Sequence, residues 1–393
     1  MNKNADLCSR LGDLLNVPPI SIELLPGDAS EWLASAPPEH APFLFVDNNL
    51  GVPHKLAYKA YLEAVARFRA VRPRHDSIDH SHSAELLASS AVLLLVNPAH
   101  QTALNARKRL VLLGTHSAAH ELRFTDALLT LRDGAKQSIL WHHRRWVLRR
   151  IHPPLPSPSP SPFSESQAKG HGDGVDTLAD IALSPATFRA EIAAVERACE
   201  AYPRNYHAWA HRFLCAEALV HVLAHVLSAF SPSSASASSP HDRHEALREL
   251  EAERAHIRTW VERHVADYSA MQYACRLEAL VQGLPAPDTE TKTKTETEKG
   301  AEAGAHALEL VRAYSSHEAL WLYLRGAVAL DLFPPGTQGD AGAAIDGLTE
   351  SYLREGATAV AGHQVVSGTY GHAVRFSAWR KWSVSPRVSN FNA

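Results

Sequence analysis

No stretch of this chain is both long and apolar enough to cross a bilayer. The longest apolar run, Leu86 to Val96, is about half of the roughly 20 residues a spanning helix needs. Cysteine is scarce: Cys8, Cys199, Cys215 and Cys275 stand far apart, with no Cys-x-x-Cys pair. That excludes a disulfide framework and points to thiols used as small apolar residues in a reduced, intracellular chain. Charge of one sign is not in excess either, with 39 basic against 42 acidic residues and a net charge of -3. Such a balance supplies no global field to draw the chain onto nucleic acid or an anionic membrane. The opening MNKNADLCSR lacks the apolar segment of a secretion signal, and the closing SNFNA lacks a prenylation Cys box. A cytoplasmic location is the expectation.

What the chain does have is apolar residues, 45% of 393, enough for a sizeable core. Three stretches could not join that core: the Pro/Ser run from His152, the Ser/Ala run from Ser231 and the Thr/Glu/Lys run from Thr289. They are expected to be solvated insertions at 152–175, 231–241 and 285–300. Between them the sequence is Ala-, Leu- and Arg-rich with helical spacing. Ser184 before Pro185 supplies a cap and a proline at the first helical position, and Asn205 supplies the next cap after Pro203. Two helices joined by a tight turn is therefore the unit.

That unit recurs. Second helices are expected near Asn97, Lys136, Tyr202, Asp267 and Ser315. In register, one slot holds Leu104, Trp141, Trp209, Met271 and Trp321. The slot three residues on holds Arg107, Arg144, Arg212, Ala274 and Leu324. The slots lie 37, 68, 62 and 50 residues apart, and the larger spacings each contain an insertion, so the underlying period is roughly 35 residues. Residues at i and i+3 share one helix face. The Trp can thus pack between hairpins while the Arg reaches a carboxylate or carbonyl of the neighbour. The expected fold is all-α, a right-handed α-α superhelix of about five hairpins over 83–330. A partly irregular helical cap at 1–82 precedes it, and a further helix with an irregular cap at 331–393 follows.

The segments NYHAWAHR and SILWHHRRWVL resemble the repeats of protein prenyltransferase α subunits, the family of farnesyl- and geranylgeranyltransferases. The resemblance covers about Ser83 to Leu330. DYSAMQY, SHEALWLY and VDNNLGVPHKLAYKAY resemble a divergent branch of alpha subunit repeat-containing proteins. That branch is understood as the α subunit of a third type of geranylgeranyltransferase, paired with the Rab geranylgeranyltransferase β subunit. The resemblance implies a heterodimer that transfers a prenyl group from prenyl diphosphate to a C-terminal cysteine of a protein substrate. The zinc and the lipid tunnel would lie in the β subunit, so this chain would carry no cofactor. Family α chains place a Lys five residues before the second repeat's Trp, near the diphosphate, and here that residue is Lys136. His207, with Tyr206 before it, matches family residues beside the same pocket. Where the family has a Tyr and a carboxylate-holding Gln, this chain has Ser138 and Ile139, which puts standard capture of a terminal carboxylate in doubt.

Among 24 histidines, chance pairs are expected. His221 and His225 lack the Glu of a zincin helix, and His207 with His211 has no third ligand nearby in sequence, so no metal site is expected. His142 and His143 read as surface or interface residues. Two other functions compete. One is a non-catalytic solenoid scaffold that binds peptides. The other, nucleic-acid binding through HHRRWVLRR, is opposed by the net charge.

Overall fold

The structure, a computed structural model, describes residues 6–28, 30, 40–71, 82–155, 177–228, 240–284, 302–334, 336–362 and 368–384. They divide into two compact units, 1–222 and 223–393. The three polar insertions fall almost wholly outside the described residues.

The first unit begins with α1 (Leu7–Asn16), β1 (Ser21–Leu25), β2 (Leu44–Val46), β3 (Asn49–Pro53) and α2 (His54–Val71). The strands form a small sheet in the order β1-β3-β2. The outer strand β1 is parallel to β3 and β2 is antiparallel to it. The β2–β3 turn is made by Asp47 and Asn48, both at positive φ (50° and 60°), the backbone that a two-residue hairpin requires and that these side chains tolerate. Expectations for 1–82 included no sheet. Three short strands have too few residues to show alternation, and β3 is buried along most of its length.

Helical hairpins follow. In the first, α3 (Ser83–Val96) pairs with α4 (Gln101–Leu112). The apolar run of α3 is buried from Ala88 to Leu95, packed by α1, α2 and α4. In the second, α5 (Ala118–Leu129) leads through the one-turn α6 (Arg132–Ala135) into α7 (Ser138–Ile151). In the third, α8 (Pro185–Ala201) pairs with α9 (Tyr206–Ser228), which runs across the division between units. The caps read from sequence are in place: the Ser184 hydroxyl accepts from Thr187 N at 3.2 Å, and Asn205 Oδ1 accepts from Ala208 N at 3.2 Å.

One boundary differs from expectation. Residues 153–155, at the start of the Pro/Ser insertion, are bonded rather than solvated. Leu155 N donates to Asp180 O at 2.8 Å and Ala182 N to Pro153 O at 2.8 Å. One amide and one carbonyl of this segment are thus paired with residues 180–182, so this backbone belongs to the fold although Pro153 and Pro154 are exposed.

The second unit holds α10 (Pro240–Arg263) with α11 (Tyr268–Gln282), α12 (Glu302–Ala313) with α13 (Glu318–Ala329), and α14 (Gln338–Ala361) with α15 (Gly368–Val384). The last is a pair of packed helices where a single helix and an irregular cap are expected. Trp321 explains why the array continues: its ring meets Tyr352 of α14 at 5.9 Å and Phe376 of α15 at 5.5 Å. A buried indole at the end of the fifth hairpin needs another apolar layer.

Candidate functional site

The repeat slots are the scaffold of the site. Leu104, Trp141, Trp209, Met271 and Trp321 are all at most 3% exposed, and so are Arg107, Arg144, Arg212, Ala274 and Leu324. Trp141 Nε1 donates to Ala135 O at 2.8 Å and Trp321 Nε1 to Ser315 O at 2.8 Å. Each indole thus ties its helix to the turn before it. The Trp141 ring also meets His211 of the next hairpin at 5.0 Å, as the packing role requires.

Arg107 and Arg144 bridge hairpins by one repeated geometry. Arg107 donates through Nη1 to Leu87 O (3.1 Å) and Ser90 Oγ (3.3 Å) of its own hairpin, and through Nη2 to Glu121 Oε2 of the next (2.7 Å). One repeat on, Arg144 Nη1 donates to Leu122 O (3.2 Å) and Thr125 Oγ1 (2.9 Å). Its Nε and Nη2 grip Glu191 at 2.6 and 2.7 Å. Arg212 leans over its own Trp209 at 5.1 Å and reaches Glu196 at 3.4 Å. Glu121 and Glu191 each take a further bond from the second helix of their own hairpin. His143 Nε2 lies 2.7 Å from Glu121 and His211 Nε2 2.8 Å from Glu191. In the fourth hairpin Tyr273 takes that place, donating to Glu253 at 2.6 Å. In the fifth, which follows Ala274 rather than an Arg, the place of the glutamate is taken by His306, 3.3 Å from Tyr323.

Sequence reading missed the partners Glu121, Glu191 and His211, and it misplaced His143, which is 1% exposed. The residues two after each Trp slot, His143, His211, Tyr273 and Tyr323, carried the signal in the repeat register itself.

Burial alone would raise the Glu121 and Glu191 carboxyls, but the adjoining guanidinium and imidazole groups hold Glu121 well below the usual range and Glu191 at about 2. Burial lowers both His143 and His211, outweighing their glutamates. They are neutral at pH 7, donating through Nε2–H, and this agrees with their Nδ1 atoms, which are buried without a hydrogen-bond partner. Arginine carries the positive charge of each network.

Fold also brings Glu191, His211 and Cys215 together, with ligand atoms within 4.8 Å of one another. They come from two helices, which is why no metal-ligand spacing shows in sequence. A metal does not fit here. Both Glu191 oxygens are taken by Arg144 and His211, a guanidinium adjoins the cluster, and burial pushes the Cys215 thiol well up, against the thiolate that a metal needs.

The residues singled out for chemistry lie at the α6–α7 and α8–α9 turns. Lys136 caps the C-terminus of α6 rather than opening α7, and its side chain is 43% exposed, 2.6 Å from Asp133. Tyr206, 62% exposed, opens α9 and stacks edge-on with His207 at 5.6 Å. Burial lowers the His207 imidazole, and the Arg145 guanidinium lowers it further. The two turns are joined by the wholly buried Asn205, whose Nδ2 donates to Ala135 O at 2.8 Å. The residues directly after each end of this bond are Lys136 and Tyr206. Ser138 stands at the first position of α7 and is exposed, with Ile139 beside it half-buried.

Comparison with known proteins matches this part of the chain. Residues 188–219, from α8 through the Tyr206–His211 turn of α9, match the family model described as protein prenyltransferase alpha subunit repeat. The chain is similar to protein prenyltransferase alpha subunit repeat-containing protein 1 of Danio rerio, 26% identical over 309 residues, 72% of this chain and 63% of that protein. It is similar to the Homo sapiens protein of that name, 27% identical over 324 residues, 79% of this chain and 75% of the relative. The 1-A form of Xenopus laevis is 29% identical over 197 residues, 48% of this chain and 36% of the relative. The match to the zebrafish protein thus spans less than two thirds of its length. Among the described residues, no helix is long and apolar enough to cross a membrane. The Trp and Arg slots are buried, residues 188–219 match a protein prenyltransferase alpha subunit repeat, and the chain is similar to these repeat-containing proteins at 26 to 29% identity.

Proposed function

We propose that this chain is the α subunit of a heterodimeric protein prenyltransferase, of geranylgeranyl type, and that it assists transfer without carrying the zinc. The observation behind this reading is the joining of the Lys136 turn to the Tyr206–His207 turn through Asn205 and Ala135. It sets an exposed ammonium and an imidazole on adjacent turns of consecutive repeats. In the reaction a cysteine thiolate of the protein substrate attacks C1 of the prenyl diphosphate. The sulfur–carbon bond forms as the carbon–oxygen bond breaks, and the electron pair leaves on diphosphate. Negative charge therefore grows on the departing oxygens, and a cation placed there lowers the barrier only by meeting that growth. Lys136 has this role, with Tyr206 and His207 donating to the same phosphates. The partner is a β subunit of the Rab geranylgeranyltransferase type, which supplies the zinc and the lipid tunnel.

The test has two parts. The chain is first used to capture a β subunit from cytosol. Single-turnover transfer by the pair is then measured with saturating lipid. Lys136→Ala should slow the chemical step on the order of 10 to 1,000-fold, with subunit affinity near normal. His207→Ala should lose less, and the double change should be less than additive. Unchanged transfer in the Lys136 variant would refute the chemical role and leave a peptide-binding scaffold.

A further inference from the structure

The backbone just before Lys136 is held more firmly than an exposed turn needs to be. Three contacts fix it. Ala135 O accepts two hydrogen bonds, from Trp141 Nε1 and from Asn205 Nδ2, both at 2.8 Å. Gly134 sits against the C-terminal end of α5 so closely that a Cβ there would lie 2.0 Å from Leu128 O. Trp141 and Asn205 are both wholly buried, so neither bond competes with water.

Asn205 has two separable jobs. Its Oδ1 accepts from Ala208 N at 3.2 Å and caps α9, a stability role that Ser fills nearly as well. Its Nδ2 does something the cap does not need: it crosses from the third repeat to the second and ends on the residue before Lys136. A carbonyl already satisfied by Trp141 gains little stability from a second donor. What the second donor adds is registration of one turn against the other.

We propose that Asn205 is a positioning residue for the transfer reaction, setting the Lys136 ammonium in register with Tyr206 and His207 through the Ala135 carbonyl. This rests on the reading of Lys136 given above. Loosening the clamp lets the α6–α7 turn shift while the repeat stack stays intact. Displacement of a charged group by about 1 Å is enough to cost on the order of 100-fold in rate.

The test is Asn205→Ser, which keeps a capping oxygen and is too short to reach Ala135 O, with Asn205→Asp as a second variant that also caps but places an acceptor against the carbonyl. In the assembled pair, Asn205→Ser should melt near the parent temperature and lower the single-turnover rate on the order of 10 to 100-fold, with smaller change in lipid affinity. In a Lys136→Ala background the same change should cost little more, because the group it positions is gone. Amide exchange at Gln137, whose N–H donates to Gly134 O at 3.0 Å, should quicken in both variants. Full activity in Asn205→Ser, equal losses with and without Lys136, or unaltered Gln137 exchange would each overturn the positioning role. If Lys136→Ala itself has no effect while Asn205→Ser quickens Gln137 exchange, the clamp is real and the chemical reading of Lys136 is what fails.

Discussion

At the scale of single residues, the strongest commitments in the chain are buried charges. Arg144 and Glu191 are each 1% exposed and joined by two bonds, and the pair spans two hairpins. Taking two ions out of water is costly, and only their close, fully bonded geometry repays it. Removing one partner alone therefore hurts more than removing both. Glu191→Gln should destabilise the protein by up to about 3 to 5 kcal/mol in urea unfolding, because Arg144 keeps its charge and loses its buried counter-ion, leaving only the part-exposed Asp126 at 3.2 Å. Arg144→Met with Glu191→Leu should be markedly milder than the sum of the single changes. Additive losses would mean that the two do not act as a pair. Lys136 contrasts with them. Its pair with Asp133 is exposed on both sides, and exposed pairs of this kind contribute little to stability, so a change there should leave folding near that of the parent.

At the scale of elements, the short α6 and the loops around it do more than connect. The one-turn α6 lets the chain enter α7 with Ala135 O aimed at both Trp141 and Asn205. The N-terminal sheet buttresses the same end of α5, since Ile22 N donates to Thr130 Oγ1 at 3.0 Å. On the far side of α7, residues 153–155 close against 180–182. A deletion of 157–175 that is rejoined with a short Gly/Ser linker should leave far-ultraviolet circular dichroism and melting temperature close to the parent, as a Pro/Ser-rich stretch offers little apolar area. Extending the deletion back to Pro153 removes backbone bonds and should lower the melting temperature. Equal melting of the two deletions would show that the bridge contributes nothing.

At the scale of the molecule, repeated networks make stability depend on pH in one direction. His143 and His211 have folded values below that of an exposed imidazole, so the unfolded chain binds more protons as pH falls through about 6.5, and stability is lost from there downward. Glu121 and Glu191 are also depressed in the fold. Their contribution is intact above the ordinary carboxylate value and is lost as pH falls toward the folded value of Glu191, about 2. Both effects have the same sign. Urea midpoints should fall steadily from pH 7 to pH 4, and a His143→Gln, His211→Gln double variant should flatten the upper part of that slope. A midpoint that rises on acidification would contradict the neutral assignment of both imidazoles.

The sequence alone determined the repeat. A Trp or large apolar residue with an Arg three positions on recurs because helix geometry puts both on one face, and burial of every slot residue from Leu104 to Leu324 follows from that spacing. Caps at Ser184 and Asn205 were legible for the same local reason, a side-chain oxygen three residues ahead of a first-turn amide that has no partner within its helix. Tertiary structure decided what those local rules leave open. Which glutamate receives each arginine depends on contacts between helices far apart in sequence, and Arg144 meets Glu191 only across the Pro/Ser insertion. The same holds for Asn205. As a cap it was visible; as the donor to Ala135 it could not be, because that bond exists only once two repeats are stacked and Gly134 has let α6 fold back against the end of α5.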